Sequence, residues 1–379
     1  MGGPLRVLFT ASGSHIGGAT MALIHLMLGL PSVGVKPILL ATPPKPSYRR
    51  LFKRLREKGV KLRVSKRRFG GALFWIWLFF AALKSIRDFR INVVHCHGTK
   101  EAVVIGLAAK LLKRKIVYTV EGDPILEMVY SPKRYSALER IVLTSCWRLG
   151  LRLADMVVGC SRWMAEHIKR YHVKASFIHN AIDYERFSSI SERMEDEDTA
   201  MVISVARFER VKGLDILIKA ARKVIEEVPN VKFILVGGGS LKDRLQKLAR
   251  NLKIGHHFLF LEYTPQVDEL LSKATVAVLP SIYEPFGMAA AEALTAGKPV
   301  VAARTGGLQE IVVNGVNGLL FTPGDPEDLA KKILQILKDK KLRERMAEAA
   351  RRSGKRFSPE RISRSYVKIY RAILSADRG

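Results

Sequence analysis

Hydrophobic residues in this chain come in short unbroken runs, and stretches with helical spacing of apolar positions lie between them. In the first half the runs predict strands at Leu5–Thr10, Val35–Ala41, Val60–Arg63, Asn92–His95, Lys115–Val120, Asp155–Gly159 and Ser176–His179. In the second half they predict strands at Met201–Ala206, Val231–Val236, Phe258–Leu261, Thr275–Leu279, Pro299–Ala302 and Gly318–Phe321. Two or three further helices close the chain between Pro326 and Ser375. Such alternation argues for parallel sheets with helices on both faces. The polar stretch Asp183–Thr199, ending in the acidic run Glu195–Asp198, reads as a linker. The pattern therefore predicts an α/β protein of two doubly wound, Rossmann-like halves, and ligands in such sheets bind beyond the carboxyl ends of the strands.

One strand end carries more chemistry than the others. After the run Ala274–Leu279, Pro280 and Pro285 hold a loop, and the small, alanine-rich stretch Gly287–Thr295 predicts a helix. Glu284 lies in the loop and Glu292 inside the helix. Taken singly, either carboxylate is as readily a solvated surface group. The N–H groups of Phe286, Gly287 and Met288 open the helix, and unpaired amides with the helix dipole favour a phosphate or a sugar hydroxyl there. A glycosidase pair would hold its carboxyl groups roughly 5–10 Å apart on either side of the cleaved bond. A loop carboxylate and one more than a turn into the next helix instead suit a single bound molecule.

Other strand ends add candidates. Arg207 and Lys212 follow the Met201–Ala206 run, where two cations can neutralise a diphosphate, although a basic loop is common in so basic a chain. Val236-Gly-Gly-Gly-Ser240, with Gly238 at its centre, ends a strand but lacks the full dinucleotide pattern. Gly17-Gly18-Ala19-Thr20 can bring amides against a phosphate or simply make a tight turn. His95 and His97, separated by one residue at a strand end, should point to opposite sides, which argues against a shared metal. Asp196-Glu-Asp198 has an Asp-x-Asp form, but such spacing arises by chance in acidic runs.

Glu284-Pro-Phe-Gly287, seven residues between the two glutamates, Ala296-Gly-Lys-Pro-Val-Val-Ala302 and Gly306-Gly-x-x-Glu310 together resemble the signature of the retaining GT-B glycosyltransferases, and in particular their large fourth family, the glycosyl transferases group 1. The resemblance is firm over residues 200–330 and looser over the first half. It implies a GT-B fold of two Rossmann-like domains facing a central cleft, with transfer of a sugar from a nucleotide diphosphate sugar and retention of anomeric configuration. By the same resemblance Arg207 and Lys212 bind the diphosphate, Glu284 lies against the donor sugar and Glu292 holds the ribose. The amides of Phe286, Gly287 and Met288 contact sugar and phosphate, Gly238 lies near the nucleotide, and Gly17 and Gly18 lie near the diphosphate or acceptor. His97 matches a histidine at the cleft edge, and His95 belongs to the core or a supporting layer. Such enzymes generally work without a bound metal, so the nucleotide sugar is expected as substrate with no further cofactor.

Three departures stand against the pattern. An acidic residue often found two places after the first glycine pair is replaced by Thr20, which leaves acceptor contacts open. Asn180-Ala-Ile-Asp183 matches an Asn-Gly-Val-Asp at the domain junction, with Ala181 in place of glycine. In Tyr118-Thr-Val-Glu-Gly-Asp123 the family's histidine, which approaches the reacting sugar, is Glu121. A carboxylate accepts hydrogen bonds and donates none unless protonated. Glu121 either accepts from a sugar hydroxyl or amino group, or stabilises charge at the anomeric carbon, or marks weakened activity.

The length of 379 residues suits two domains, and 48% hydrophobic with 26% charged residues describes a folded chain. The expected divisions are 1–183 on the acceptor side, a 184–199 linker, 200–355 binding the nucleotide sugar, and a 356–379 helix that can pack back on the first domain. Cys96, Cys146 and Cys160 are odd in number and lack metal spacing, which points to a reducing compartment. No secretory signal is expected from Leu5–Thr10, a strand-like run followed by a glycine loop.

Net charge is +29, and residues 1–180 hold 31 Lys and Arg against 9 Asp and Glu. Lys45–Arg68 alone carries twelve basic residues and the one acid Glu57, directly before the aromatic run Phe69–Leu83. That run of about fifteen residues falls short of the roughly twenty needed to span a bilayer. It is either the buried crossover helix before the Asn92 strand or a basic, aromatic surface on an anionic membrane, and both hold if one face is buried. Clustered aromatics and the lack of a recognised nucleic-acid fold argue against nucleic acid. The reading is a glycosyltransferase peripheral on the cytoplasmic membrane face, acting on a lipid-linked or membrane-associated acceptor; the competing reading is a non-catalytic membrane- or polyanion-binding protein on the same fold.

Overall fold

A computed structural model describes residues 4–11, 17–65, 71–130, 135–190 and 199–376. The chain divides into two compact units. The first contains Met1–Met128, Tyr135–Ile182 and Phe357–Gly379, and the second Val129–Arg134 and Asp183–Arg356.

The first unit is built on strands β1 (Leu5–Ala11), β2 (Val35–Ala41), β3 (Lys61–Val64), β4 (Val93–Cys96), β5 (Lys115–Val120), β6 (Met156–Gly159) and β7 (Ala175–Phe177). They pair in parallel in the order β3-β2-β1-β4-β5-β6-β7. The second unit carries β8 (Met201–Val205), β9 (Lys232–Val236), β10 (Phe258–Leu261), β11 (Val276–Leu279), β12 (Val300–Ala303) and β13 (Gly318–Phe321). Their order is β10-β9-β8-β11-β12-β13, also parallel. Every expected strand is present, with ends moved by at most two residues. The reason is physical: parallel strands covered on both faces are apolar throughout, so Val7, Phe9, Val93, Val117 and Val158 are buried in one sheet and Val202, Phe233, Val276 and Val301 in the other.

The C-terminal helix Pro359–Ser375 belongs to the first unit. Its buried Ile362, Tyr366, Tyr370 and Ile373 recur at helical spacing and form one face. Gly29 in the Gly18–Gly29 helix has no side chain because a Cβ would run into the Pro359 carbonyl, and Ser363 Oγ donates to the Leu26 carbonyl at 3.1 Å.

The expected linker is not wholly a linker. Tyr184–Ser188 is a helical turn whose Phe187 is buried in the second unit, and its Arg186 pairs with Asp268. One buried aromatic ring outweighs the polar neighbours that suggested a loop. The acidic stretch with Asp196 and Asp198 lies outside the described residues, as do Phe69, Gly70 and Lys66–Arg68.

Gly71–Asp88 forms the crossover helix before β4. Leu78, Ala82 and Ile86 face the core, whereas Leu73, Ile76 and Phe80 are exposed. Among the described residues no helix is long and apolar enough to cross a membrane.

Candidate active site

In both sheets the strand order reverses beside the unit's own first strand, between β1 and β4 and between β8 and β11. Crevices at the carboxyl ends of such strands are where open α/β sheets bind ligands.

In the second unit, three backbone approaches build the corner after β11. Gly213 has a φ of +60°, and a Cβ there would run into the Pro280 carbonyl. The neighbouring Val211 carbonyl accepts from Ile282 N–H at 2.8 Å, which ties the loop after β8 to the loop after β11. Gly306 has a φ of +48° and lies so close to the Glu284 carbonyl that no side chain fits, while Gly307 N–H donates to that carbonyl at 2.9 Å. Thr305 Oγ1 adds a bond to the Ile282 carbonyl at 3.1 Å. The loop Pro280–Phe286 is thereby held on several sides.

This frame brings Lys212 Nζ to 2.7 Å from Glu284 Oε2, and Ser281 Oγ to 3.1 Å from the same oxygen. Both members of the ion pair are largely buried, at 17% and 13% side-chain exposure, so the low-dielectric setting strengthens the pair beyond that of a surface bridge. Gly287, at a φ of +110°, then starts the Met288–Thr295 helix; a Cβ on it would lie 2.6 Å from Leu308 Cδ2. Gly287 is the cap and Met288 the first helical residue, so their N–H groups sit at the positive end of the helix, while the Phe286 ring is buried.

Glu292 lies inside that helix. Burial pushes its carboxyl up to about 7; Arg186 opposes this and Asp183 adds to it. Arg207 pairs elsewhere: its side chain is 65% exposed and its guanidinium lies 2.9 Å from Glu209 Oε2. Of the glycine triplet after β9, Gly237 (φ +145°) and Gly239 (φ +151°) allow close crossing of the Ala206–Phe208 backbone, and Phe208 N–H donates to the Gly238 carbonyl at 2.8 Å. Among the described residues only the Glu262 side chain would lie within contact of a Cβ on Gly238, at 3.2 Å.

In the first unit Gly17 has an extended backbone and caps the Gly18–Gly29 helix, in which Thr20 is half-buried. His97 is the first residue after β4 and Glu121 the first after β5. His97 Nδ1 lies 3.2 Å from Glu121 Oε1, and Asn180 Nδ2 donates to Glu121 Oε2 at 2.6 Å. His95 is fully buried, with Nδ1 2.6 Å from the Tyr370 hydroxyl and Nε2 2.7 Å from Thr119 Oγ1, which in turn lies 2.9 Å from the Tyr366 hydroxyl. Burial and the nearby His97 hold His95 well below the usual imidazole range.

The two histidines do not point to opposite sides: their ring centroids are 4.5 Å apart. Alternation of side-chain direction holds only within a strand, and β4 ends at Cys96, so His97 is free of that constraint. Among the described residues no group of three or more His, Cys, Asp or Glu side chains has the arrangement to hold a metal. Ser281, Arg186 and the Asn180 side chain join these clusters without having been singled out by sequence. Asn180 left a signal in its Asn-Ala-Ile-Asp match, whereas Ser281 and Arg186 left none.

Comparison with known proteins gives two family matches. The model for Glycosyltransferase Family 4 matches residues 16–186, and that for Glycosyl transferases group 1 matches residues 186–353. The chain is 30% identical over 318 residues to a glycogen synthase of Mycobacterium tuberculosis, covering 82% of this chain and 75% of that protein. It is 34% identical over 181 residues to an uncharacterized glycosyltransferase of Methanocaldococcus jannaschii, but that alignment spans about half of either chain, 47% and 46%. The solved structure of Anabaena Alr3699/HepE in complex with UDP-glucose superimposes with a TM-score of 0.76 at 22% identity, covering 97% of this chain and all of that one. The fold is GT-B, with two parallel-sheet, Rossmann-like domains.

Proposed function

The chain belongs to the group 1 glycosyltransferases, and from that premise we propose that it moves a sugar from a nucleoside diphosphate sugar, with retention of anomeric configuration, to a lipid-linked or membrane-associated acceptor. The observation that carries the donor half is the Lys212–Glu284 pair, held at the strand-order reversal beside the start of the Met288–Thr295 helix. An ammonium has three donors, and Glu284 takes one. The other two serve the diphosphate, whose negative charge grows as the bond to the anomeric carbon breaks. Arg207, exposed on the same loop after β8, supplies the second cation.

Gly287 and Met288 N–H groups add fixed positive potential without reorganisation. Glu284 keeps one oxygen for a sugar hydroxyl, and Glu292 accepts from the ribose. With retention, the acceptor oxygen bonds to the anomeric carbon on the face the diphosphate leaves, and its proton passes to the departing phosphate oxygen. Anabaena Alr3699/HepE was solved with UDP-glucose, which makes that donor the first to assay. Thermal-shift titration with UDP-, GDP- and ADP-glucose, followed by assay of nucleotide release, tests the reading. Lys212→Ala should lower kcat on the order of 100-fold, as loss of one transition-state donor does. Absence of both binding and turnover with every donor would sink the proposal.

The acceptor half rests on a different surface. The Gly71–Asp88, Thr99–Leu111 and Ala137–Leu153 helices pack side by side, and each turns large apolar residues outward. Leu73 and Phe80 are 67% and 63% exposed, Leu111 67%, Leu138 70% and Ile141 62%. The same helices carry the exposed cations Lys84, Lys110 and Arg148. Apolar stripes beside basic residues suit an anionic bilayer, which takes the side chains into its interface and attracts the charge. In flotation assays the protein should rise with anionic vesicles more than with neutral ones, and Leu138→Asp with Ile141→Asp should abolish this. Duplex binding that outlasts vesicle binding across a salt series would overturn the membrane assignment.

A further inference from the structure

We propose that Glu121 serves the reaction through His97, fixing the imidazole so that its Nε2 accepts a hydrogen bond from a hydroxyl of the acceptor; this rests on the glycosyl-transfer reading above. Both carboxylate oxygens of Glu121 are already engaged, Oε1 by His97 Nδ1 at 3.2 Å and Oε2 by Asn180 Nδ2 at 2.6 Å. The carboxylate is therefore poorly placed to be the primary contact for a ligand. Because an ionised carboxylate only accepts, His97 Nδ1 carries the proton and Nε2 presents a lone pair. That Nε2 is buried, on a side chain only 9% exposed, and has no hydrogen-bond partner among the described residues.

A buried polar atom without a partner is rare in a folded protein and asks for a reason. The neighbouring ring shows the contrast: His95 has both nitrogens satisfied, by Tyr370 and Thr119, and backs the His97 ring at 4.5 Å. His97 is thus held by Glu121 and packed by His95, with one nitrogen left for something else. It lies directly after β4, beside the reversal of strand order, where a ligand is expected in this sheet type. A hydroxyl is the complementary group, since a lone pair on a neutral imidazole needs a donor and the acceptor of a glycosyl transfer brings a hydroxyl. Glu121 is a positioning residue on this account, and His97 makes the contact.

The test pairs a spectroscopic readout with kinetics in the full-length protein. In 15N-histidine NMR, His97 should show the Nδ1–H tautomer in the wild type and in Glu121→Gln, and lose that preference in Glu121→Ala. Gln can still accept from Nδ1–H through its carbonyl, and Asn180 can turn its amide to receive the Gln N–H. Glu121→Ala and His97→Ala should each lower kcat on the order of 10- to 100-fold, with nucleotide affinity kept, as expected for a misplaced contact. Glu121→Gln should recover most of the rate. The double variant should be no slower than His97→Ala, because both act through one contact.

Hydrolysis of the nucleotide sugar selected by thermal shift, compared with transfer to glycerol, checks the source of the hydroxyl. Loss of transfer with hydrolysis kept supports an acceptor hydroxyl, and equal loss of both reactions would overturn the proposal. Glu121→Gln as slow as Glu121→Ala, additive losses in the double variant, unaltered rates, or the Nε2–H tautomer in the wild type would each overturn the proposal. The expected tautomer in a wild type that turns over no donor would instead count against glycosyl transfer.

Discussion

Each sheet places a pair of side chains on adjacent strand ends, Lys212 after β8 with Glu284 after β11 and His97 after β4 with Glu121 after β5, but secures it by different means. In the second unit Lys212 and Glu284 meet because backbones approach closely at Gly213, Gly306 and Gly307. In the first unit His97 and Glu121 meet because buried side chains hold them: Asn180 directly, and His95, Thr119, Tyr366 and Tyr370 behind. A backbone frame tolerates one residue type at its close contacts. A side-chain frame can be assembled from many hydroxyls and amides, drawn from distant parts of the chain. The first kind should break sharply when a single methyl is added, and the second should weaken by steps.

The largest effect is therefore expected at Gly306. Gly306→Ala sets a side chain against the Glu284 carbonyl at a φ of +48°. It should destabilise the second unit by about 3 kcal/mol or more, combining backbone strain with a clash that only movement of the Glu284 loop relieves. Gly315→Ala is the control, since Gly315 also has a positive φ, +80°, but open space around it. It should cost only about 1 kcal/mol. Chemical denaturation of the two variants measures the difference, and equal costs would show that the Glu284 loop is not pinned by close approach.

That contrast also explains what could be read from sequence. The strands were legible because both sheets are parallel and buried, so each strand is an apolar run whatever its function. The Glu284 corner was legible because its geometry demands glycine at fixed distances from the glutamate, and glycine spacing survives as a visible pattern. The His97 cluster was not, beyond its two histidines. Tyr370 reaches His95 across 275 positions and Asn180 reaches Glu121 across 59, and no periodicity links such residues. The mistaken expectation that His95 and His97 diverge came from extending strand geometry one residue past the end of β4. The Tyr184 turn was taken for linker because one buried Phe187 carries little weight in a polar stretch.

A middle-sized effect is expected from the side-chain frame. Tyr370→Phe keeps the ring in the core but removes the hydroxyl 2.6 Å from His95 Nδ1. One nitrogen of a fully buried imidazole is then left without a partner, at a cost of about 2 kcal/mol. Calorimetry should show lower stability for the variant, while nucleotide binding by the second unit stays at the wild-type level. An unchanged melting temperature would mean that the network behind His97 adds no support, and the two sites would then differ less than proposed.

The smallest effect separates the two carboxylates of the donor corner. Glu284 is matched by Lys212, whereas burial raises the Glu292 carboxyl to about 7. A carboxyl whose pKa is raised on folding contributes stability in full below its unfolded value, near 4.3, and loses it as pH rises through about 7. Glu292→Gln, which stays neutral, should therefore leave stability nearly unaltered at about pH 4 and below, and make the ligand-free protein more stable at about pH 8.5. The gain should be about 1 kcal/mol, less than the whole shift would give, because Glu292 keeps part of its surface in contact with water. Nucleotide affinity should move the other way: ribose hydroxyls donate to the carboxylate, so wild-type binding should tighten between pH 6 and 8, and the Gln variant should lose that dependence. If the wild type binds nucleotide equally at both pH values, Glu292 is not the ribose acceptor, and its burial needs a structural explanation instead.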